Sequence, residues 1–294
     1  MKMSVLTRAD LDGIVGTVLI KQVEDIDAVR FSEPKFVQDG EVDVFENDIL
    51  INLPYDTRCA MWFDHHIANV RPKAFSGAFK PAPSAARVVF DHYLPNFPQL
   101  NNYAQLVAAA DKIDAAELTY AEVMEPTDYL LLSMTIDGKV HEDKSYWLKL
   151  VELLSSQSIS DVMNEPEVFA RCEQFKVENE VYKVLVKENS RVEKNVLITD
   201  LRHYDKVPNG NRYFIYAFQS ATNLSLKIVN DQERPGMVAI GVGYNIFNKT
   251  ANINVGELLK KYGGGGHRAV GSTRVKQEAA DQVVSELLRF LVNS

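Results

Sequence analysis

At 294 residues the chain is longer than the ~250 at which single cores usually stop growing, which argues for two domains. No apolar run approaches the ~20 residues that span a bilayer, and residues 1–7 lack the apolar core of a signal peptide, so a cytoplasmic protein with no membrane partner is expected. A formal net charge of -8 argues against a broad basic face for long duplex nucleic acid, and two distant cysteines, Cys59 and Cys172, argue against a disulfide framework or a zinc knuckle. A short or small phosphorylated substrate stays compatible with this balance.

Val5-Leu6-Thr7 predicts an opening strand, followed by the turn Arg8-Ala9-Asp10-Leu11-Asp12-Gly13 and an apolar helix over 14–23. Carboxylates two residues apart between a strand and a helix suit a hard cation, and they read equally as an Asp-rich helix cap. Further strands are predicted over 28–31, 49–53 and 60–63. The last of these delivers Asp64-His65-His66 to its own C-terminal end, where open α/β sheets keep their chemistry. Histidine is the commonest metal ligand, and an adjacent carboxylate can bind the ion or fix the imidazole tautomer. The chain holds six histidines, so two side by side carry weight, although a surface-loop pair would look the same. Strands alternating with helical stretches predict an α/β fold, with a larger N-terminal, mostly parallel sheet carrying helices on both faces.

A helix is predicted over 84–93 with Ser84 as its N-cap, and another over 101–110 running into Asp111-Lys112-Ile113-Asp114. Asp111 and Asp114 lie one helical turn apart behind an apolar stretch. They are either a solvated face or carboxylates in need of a cation or donors. From 126 to 190 the pattern is largely helical, including a long charged segment over 166–189 that reads as a connector. Strands are expected again at 195–199, 213–218, 237–242 and 271–275, with helices at 224–229, 255–262 and 278–292. These make a smaller C-terminal α/β domain, and the boundary is expected near residue 190.

That second domain contains Tyr262-Gly263-Gly264-Gly265-Gly266-His267-Arg268. Four glycines let backbone approach a ligand and present N–H groups to an anion, while His267 and Arg268 can donate to phosphate oxygens. A flexible linker is the alternative, but a helix pattern and a strand pattern flank the run. Lys260, Lys261, Arg268, Arg274 and Lys276 stand against Glu257, so the acidic chain becomes locally basic here.

In order, Arg8-Ala9-Asp10-Leu11-Asp12-Gly13, Asp64-His65-His66, Asp111 and Gly263-Gly264-Gly265-Gly266-His267 resemble the DHH phosphoesterase superfamily. That superfamily includes RecJ-type exonucleases, nano-RNases, cyclic-dinucleotide phosphodiesterases and exopolyphosphatases, and the exopolyphosphatase-related members look most similar. The resemblance covers essentially the whole chain. It implies a DHH catalytic domain with helical connector over 1–190, a DHH-associated substrate domain over 191–294, and an active-site cleft between them. It further implies hydrolysis of a phosphodiester or phosphoanhydride bond in an oligonucleotide, dinucleotide, nucleoside bisphosphate or polyphosphate, dependent on Mn2+ or else Mg2+. Members often pair, so a homodimer is among the partners it implies.

Residue by residue, the resemblance makes Asp10 and Asp12 the first metal carboxylates, His65 the imidazole ligand and Asp111 the later aspartate, with Asp114 a close rival. Asp64 and His66 become orienters or substrate contacts, and Gly263, Gly264, Gly265, Gly266, His267 and Arg268 the phosphate grip. Two departures stand out. The family usually has His where this chain has Arg8, and a bridging Asp where it has Asn52. Arginine does not deprotonate to bind a metal, and Asn52 offers only a neutral carbonyl oxygen. One well-held ion is therefore expected in place of the family's two, with Arg8 as a fixed positive charge near the vacated place. The alternative is a phosphate-ligand binding or regulatory protein with a degenerate DHH metal centre.

Overall fold

The computed structural model describes residues 2–294 apart from 68, 70, 71, 139, 141, 142 and 233. In chain order its elements are β1 (Met3–Thr7), α1 (Leu11–Lys21), β2 (Ile26–Phe31), α2 (Pro34–Gln38), β3 (Asp48–Ile51), β4 (Met61–Asp64), β5 (Gly77–Phe79) and α3 (Ala85–Tyr93). A 3-10 turn (Pro98–Tyr103) leads to α4 (Ala104–Asp114), α5 (Tyr120–Met124), α6 (Asp128–Ser133), α7 (Lys144–Ser156), α8 (Ile159–Asn164) and α9 (Pro166–Glu188). Then follow β6 (Ser190–Glu193), β7 (Val196–Asp200), α10 (Phe214–Phe218), β8 (Leu224–Asn230), β9 (Met237–Tyr244), α11 (Val255–Lys260), β10 (Gly265–Gly266), β11 (Val270–Lys276) and α12 (Gln277–Leu291). The helical stretch expected from 126 to 190 is present as α6 to α9, except that 139, 141 and 142 lie outside the described residues.

The chain divides into two compact units, Met1–Leu118 with Pro126–Cys172, and Thr119–Glu125 with Glu173–Ser294. The division falls inside α9 and not at residue 190. Tyr182 and Val186 on the later part of that helix pack with Leu197, Leu201, Phe214 and Ile215, so this part counts with the second core.

In the first unit, five parallel strands run in the order β2-β1-β3-β4-β5. The period of two along a strand sends Leu6, Leu50 and Trp62 to one face, against Val37 of α2, Phe75 of the loop before β5 and Phe79 of β5. Ile51 and Phe63 face the other way. Gly16 of α1 sits so close to Ile51 that an added Cβ would come 2.7 Å from its side chain, and Phe63 packs on His92 and Tyr93 of α3. Chain order reverses between β1 and β3, because β2 lies on one side of β1 and β3 on the other. A crevice opens at the carboxyl ends of strands flanking such a switch point.

The second unit is built on a six-stranded mixed sheet of order β10-β11-β9-β8-β7-β6, in which only β7 and β8 pair in parallel. Leu224, Leu226 and Ile228 alternate into a core with Val238, Ile240, Val242, Leu259, Leu287 and Leu291. The helix expected at 224–229 is therefore a strand. The strand expected at 213–218 is instead the short helix α10. Asn211 starts it by accepting the Tyr213 N–H, at 3.0 Å, on its side chain, and the turn drives Phe214 and Ile215 into the cluster around Tyr182. Among the described residues, no helix is long and apolar enough to cross a membrane.

Candidate active site

The side chains that carry chemistry in the first unit come from the carboxyl ends of β1, β3 and β4 and from the helices behind them. After β1 the chain turns through Arg8 and Ala9. Asp10 then caps α1 by accepting the Gly13 N–H at 2.8 Å. Gly13 is required by this turn, since a Cβ there would lie 2.2 Å from the Arg8 carbonyl oxygen. In the first turn of α1, Asp12 is 3% exposed, and its carboxylate accepts the N–H groups of Ala85 and Ala86 at 2.9 and 2.7 Å. These are orphan donors of the first turn of α3, so a helix N-terminus holds the aspartate.

At the end of β3, Asn52 is buried and left-handed, with φ 57. Asparagine tolerates that region better than most residues, and such backbone clusters at functional sites. Its amide donates to both oxygens of Asp10, at 3.1 and 3.2 Å. Beyond β4, His65 donates from Nδ1 to the Ala82 carbonyl at 2.9 Å, so in the neutral imidazole Nε2 is the nitrogen able to bind a cation. Nε2 lies 3.4 Å from Oδ2 of Asp114 and 3.8 Å from Oδ2 of Asp12. The buried Asp64 takes His66 Nδ1 at 2.8 Å and the Asn69 amide at 2.6 Å, so it orients His66 and Asn69.

Burial, the charge of Asp114 and that of Asp10 push the Asp12 carboxyl well above the usual carboxylate range, against the pull of its two backbone donors. Burial and Asp10 raise Asp114 too, although its side chain remains 30% exposed. For His66, burial works against the charged form, but the hydrogen bond and charge of Asp64 outweigh it and raise the pKa.

This donor set fits a divalent cation. Asp12, His65 and Asp114 each offer one ligand atom, all within 4.8 Å of one another. His65 Nε2 is buried without a hydrogen-bond partner among the described residues, a costly state that a cation at Asp12, His65 and Asp114 would relieve. Asp111 stands apart from the group. It takes the Arg87 guanidinium through Nε and Nη2, at 2.9 and 2.7 Å, and the Ser84 hydroxyl at 2.6 Å. The position beside His65 belongs to Asp114, the rival one turn further along α4.

Reading the sequence identified Ser84 as a helix cap but missed that the two residues after it clamp Asp12. Backbone N–H groups leave no signature in residue types. Arg87 as the partner of Asp111 and Ala82 as the tautomer anchor of His65 were missed for a similar reason, since each comes from a segment distant in sequence.

In the second unit the four glycines form a tight hairpin rather than a loose loop. The N–H groups of Gly263, Gly264 and His267 are spent on the carbonyls of Lys260, Leu259 and Val270. Gly263 and Gly266 have positive φ, and a Cβ on Gly264 or Gly266 would lie 2.4 or 2.3 Å from the Ser272 or Val270 carbonyl oxygen. Gly265 is different, with open space where a Cβ would go and no positive φ. His267 and Arg268 are exposed at the end of the hairpin, with Arg268 donating to Asn252 at 2.7 Å.

A parallel sheet with carboxylates and an imidazole gathered at its switch point is an α/β arrangement able to hold a divalent cation. Among solved structures, the chain is similar to the pGpG-specific phosphodiesterase PggH from Vibrio cholerae, at 33% identity over 99% of both chains with a TM-score of 0.82. It also matches RecJ from Thermus thermophilus, in complex with Mn2+ at 12% identity and a TM-score of 0.64, and with Mg2+ at 11% and 0.57. The match spans the whole of this chain but only 52% and 50% of those chains, and at such identity it shows the shared fold alone. Neither a scan of protein-family models nor a search of curated proteins returns a match. The chain belongs to the DHH phosphoesterase superfamily.

Proposed function

We propose that this protein is a cytoplasmic, divalent-cation-dependent phosphodiesterase that cleaves a short 5′-phosphorylated linear dinucleotide of the pGpG type into two mononucleotides. The observation that carries the reading is the buried, unpartnered Nε2 of His65 between Asp12 and Asp114, in a chain 33% identical to a pGpG-specific phosphodiesterase. That relative favours a dinucleotide over polyphosphate.

Asp12, His65 and Asp114 would hold the cation, with Mn2+ suited to the mixed oxygen and nitrogen donors. Bound there, a divalent ion lowers the pKa of water and offsets the charge that builds on phosphorus. The chain's own residues do the rest. The N-terminus of α3 and the Ala82 carbonyl fix the aim of Asp12 and His65. His66, whose proton Asp64 favours, is suited to donate to a phosphate or leaving oxygen. In the second unit, His267 and Arg268 are assigned a terminal phosphate, and Gly265 leaves room for it.

The test is turnover of pGpG, longer oligonucleotides and polyphosphate with manganese, using Asp12→Asn as the control. The expected result is release of GMP from pGpG at a rate far above that on the other substrates. No turnover above the control overturns the reading, and tight binding without hydrolysis would favour a phosphate-ligand binding protein.

A further inference from the structure

The two aspartates of the turn after β1 have opposite surroundings. Asp12 and Asp114 confront each other's negative charge and Nε2 of His65. Asp10 is met by donors instead. It takes the Gly13 N–H and both contacts from the Asn52 amide, and Arg8 Nη1 lies 3.4 Å from its Oδ2. Arg8 is also drawn to Glu33, whose carboxylate is 3.7 Å from its Nε. Glu33 is itself hemmed in by Gly138, where a Cβ would come 2.7 Å from Glu33 Oε1. With 39% of its side chain exposed, Arg8 is anchored at one edge and open at the other.

We infer that this centre holds one divalent cation, on Asp12, His65 and Asp114, and that the Arg8 guanidinium takes the place of a second by receiving a phosphate oxygen of the substrate. The inference rests on the phosphoesterase reading above and concerns how the charge at that site is supplied.

The balance of charge supports it. One divalent ion would offset the paired carboxylates of Asp12 and Asp114, while Arg8 lies between the carboxylates of Asp10 and Glu33 and is the cation Asp10 already has. A second ion beside Asp10 would have to displace a guanidinium that cannot lose its proton. It would also have to turn the Asn52 amide over, because the group now facing Asp10 is the NH2 end, which cannot bind a cation. Turning it would aim the amide oxygen at a carboxylate. A planar guanidinium suits a phosphate, whose oxygens it can receive in pairs.

Metal content decides the matter independently of turnover. Protein loaded with Mn2+, freed of excess and measured by plasma mass spectrometry should carry about one ion per chain. The double variant Arg8→His with Asn52→Asp should carry about two, with an exchange-coupled spin resonance signal absent from the natural chain. Arg8→Ala should keep one ion and its circular dichroism while losing about tenfold or more in kcat/KM on pGpG, partly restored by Arg8→Lys. Two ions on the natural chain, a folded double variant that stays at one, or an unchanged kcat/KM for Arg8→Ala each overturn the inference. If the double variant fails to fold, the natural chain's metal count and Arg8→Ala decide. Failure to cleave pGpG with one ion bound would instead count against the substrate assignment alone.

Discussion

At the sheet end of the first unit, charged groups are buried against their own electrostatic preference, whereas the glycine hairpin of the second unit buries no charge and is shaped by packing. Asp12 is 3% exposed with its carboxyl raised well above the usual range, and nothing in the packing of α1 needs a carboxylate there. In the hairpin, by contrast, Gly264 and Gly266 have neighbouring backbone so close that no other residue fits. The two halves of the sequence signature therefore carry different physics. A buried carboxylate whose cost exceeds what its two backbone donors offset points to chemistry, and a glycine demanded by packing does not. Gly265 is where the hairpin departs from this rule, since neither its φ nor its surroundings call for glycine.

The largest effect that would break the comparison is at Asp12. Asp12→Asn keeps the shape but removes the charge that would hold a cation, and its single oxygen keeps only one of the contacts that Ala85 and Ala86 now make to different carboxylate oxygens. We expect kcat to fall by about three orders of magnitude, a loss of several kcal/mol of transition-state stabilisation. Calorimetric titration should show loss of manganese binding in parallel. An active variant that still binds the ion would mean the buried charge is structural, like the glycines.

Next in size is Gly266→Ala, at φ 147 with backbone 2.3 Å from the new Cβ. It should cost about 1–3 kcal/mol in urea unfolding of the second unit. Gly265→Ala is the counterpart. Its unfolding midpoint should stay within about 0.5 kcal/mol of the natural chain, while KM for the dinucleotide rises about tenfold. If Gly265→Ala instead unfolds the hairpin, that glycine joins its neighbours as a packing residue.

Much of the sheet end was legible because the apolar runs of β1, β3 and β4 are short, bounded by turns, and followed at once by polar residues. Asp64-His65-His66 stood out for the same reason. Ambiguity entered where tertiary contacts choose between equals. Asp111 and Asp114 share a helix face, and only Arg87 and Ser84, arriving from α3, draw the first away from His65. Tyr213 to Phe218 has the aromatic and β-branched composition of a strand, yet the Asn211 side chain and packing against the cluster around Tyr182 make it helical. The stretch 224–229 is a strand and not the expected helix, and the alternation of Leu224, Leu226 and Ile228 carries that period of two in the sequence itself.

Asp111→Asn measures the smaller structural share of the first unit. It weakens a partly buried ion pair with Arg87, and about 1–2 kcal/mol of stability should go. Manganese stoichiometry should not change. Asp114→Asn should do the reverse, lowering affinity for the ion with little loss of stability. An exchange of these two outcomes would restore Asp111 as the ligand.

The smallest effect, and the one that tests the cost of the buried charge directly, is the pH dependence of the metal-free protein. Asp12 and Asp114 have raised pKa values in the folded state, so between the ordinary carboxylate value and the raised one the folded chain binds more protons than the unfolded chain. Any stability from keeping those protons is fully present below the unfolded pKa and is lost as pH rises through the folded one. The thermal midpoint of chelator-treated protein should therefore fall by about 2–4 °C as pH rises from about 4 through that window. Asp12→Asn should flatten the slope, because the amide has no charge to bury. Added manganese should reverse it, since ions bind the deprotonated carboxylates and affinity grows as protons leave. A metal-free midpoint that climbs over the same range would mean that Ala85 and Ala86 already satisfy the Asp12 charge, and the sheet end would then need no cation to be at ease.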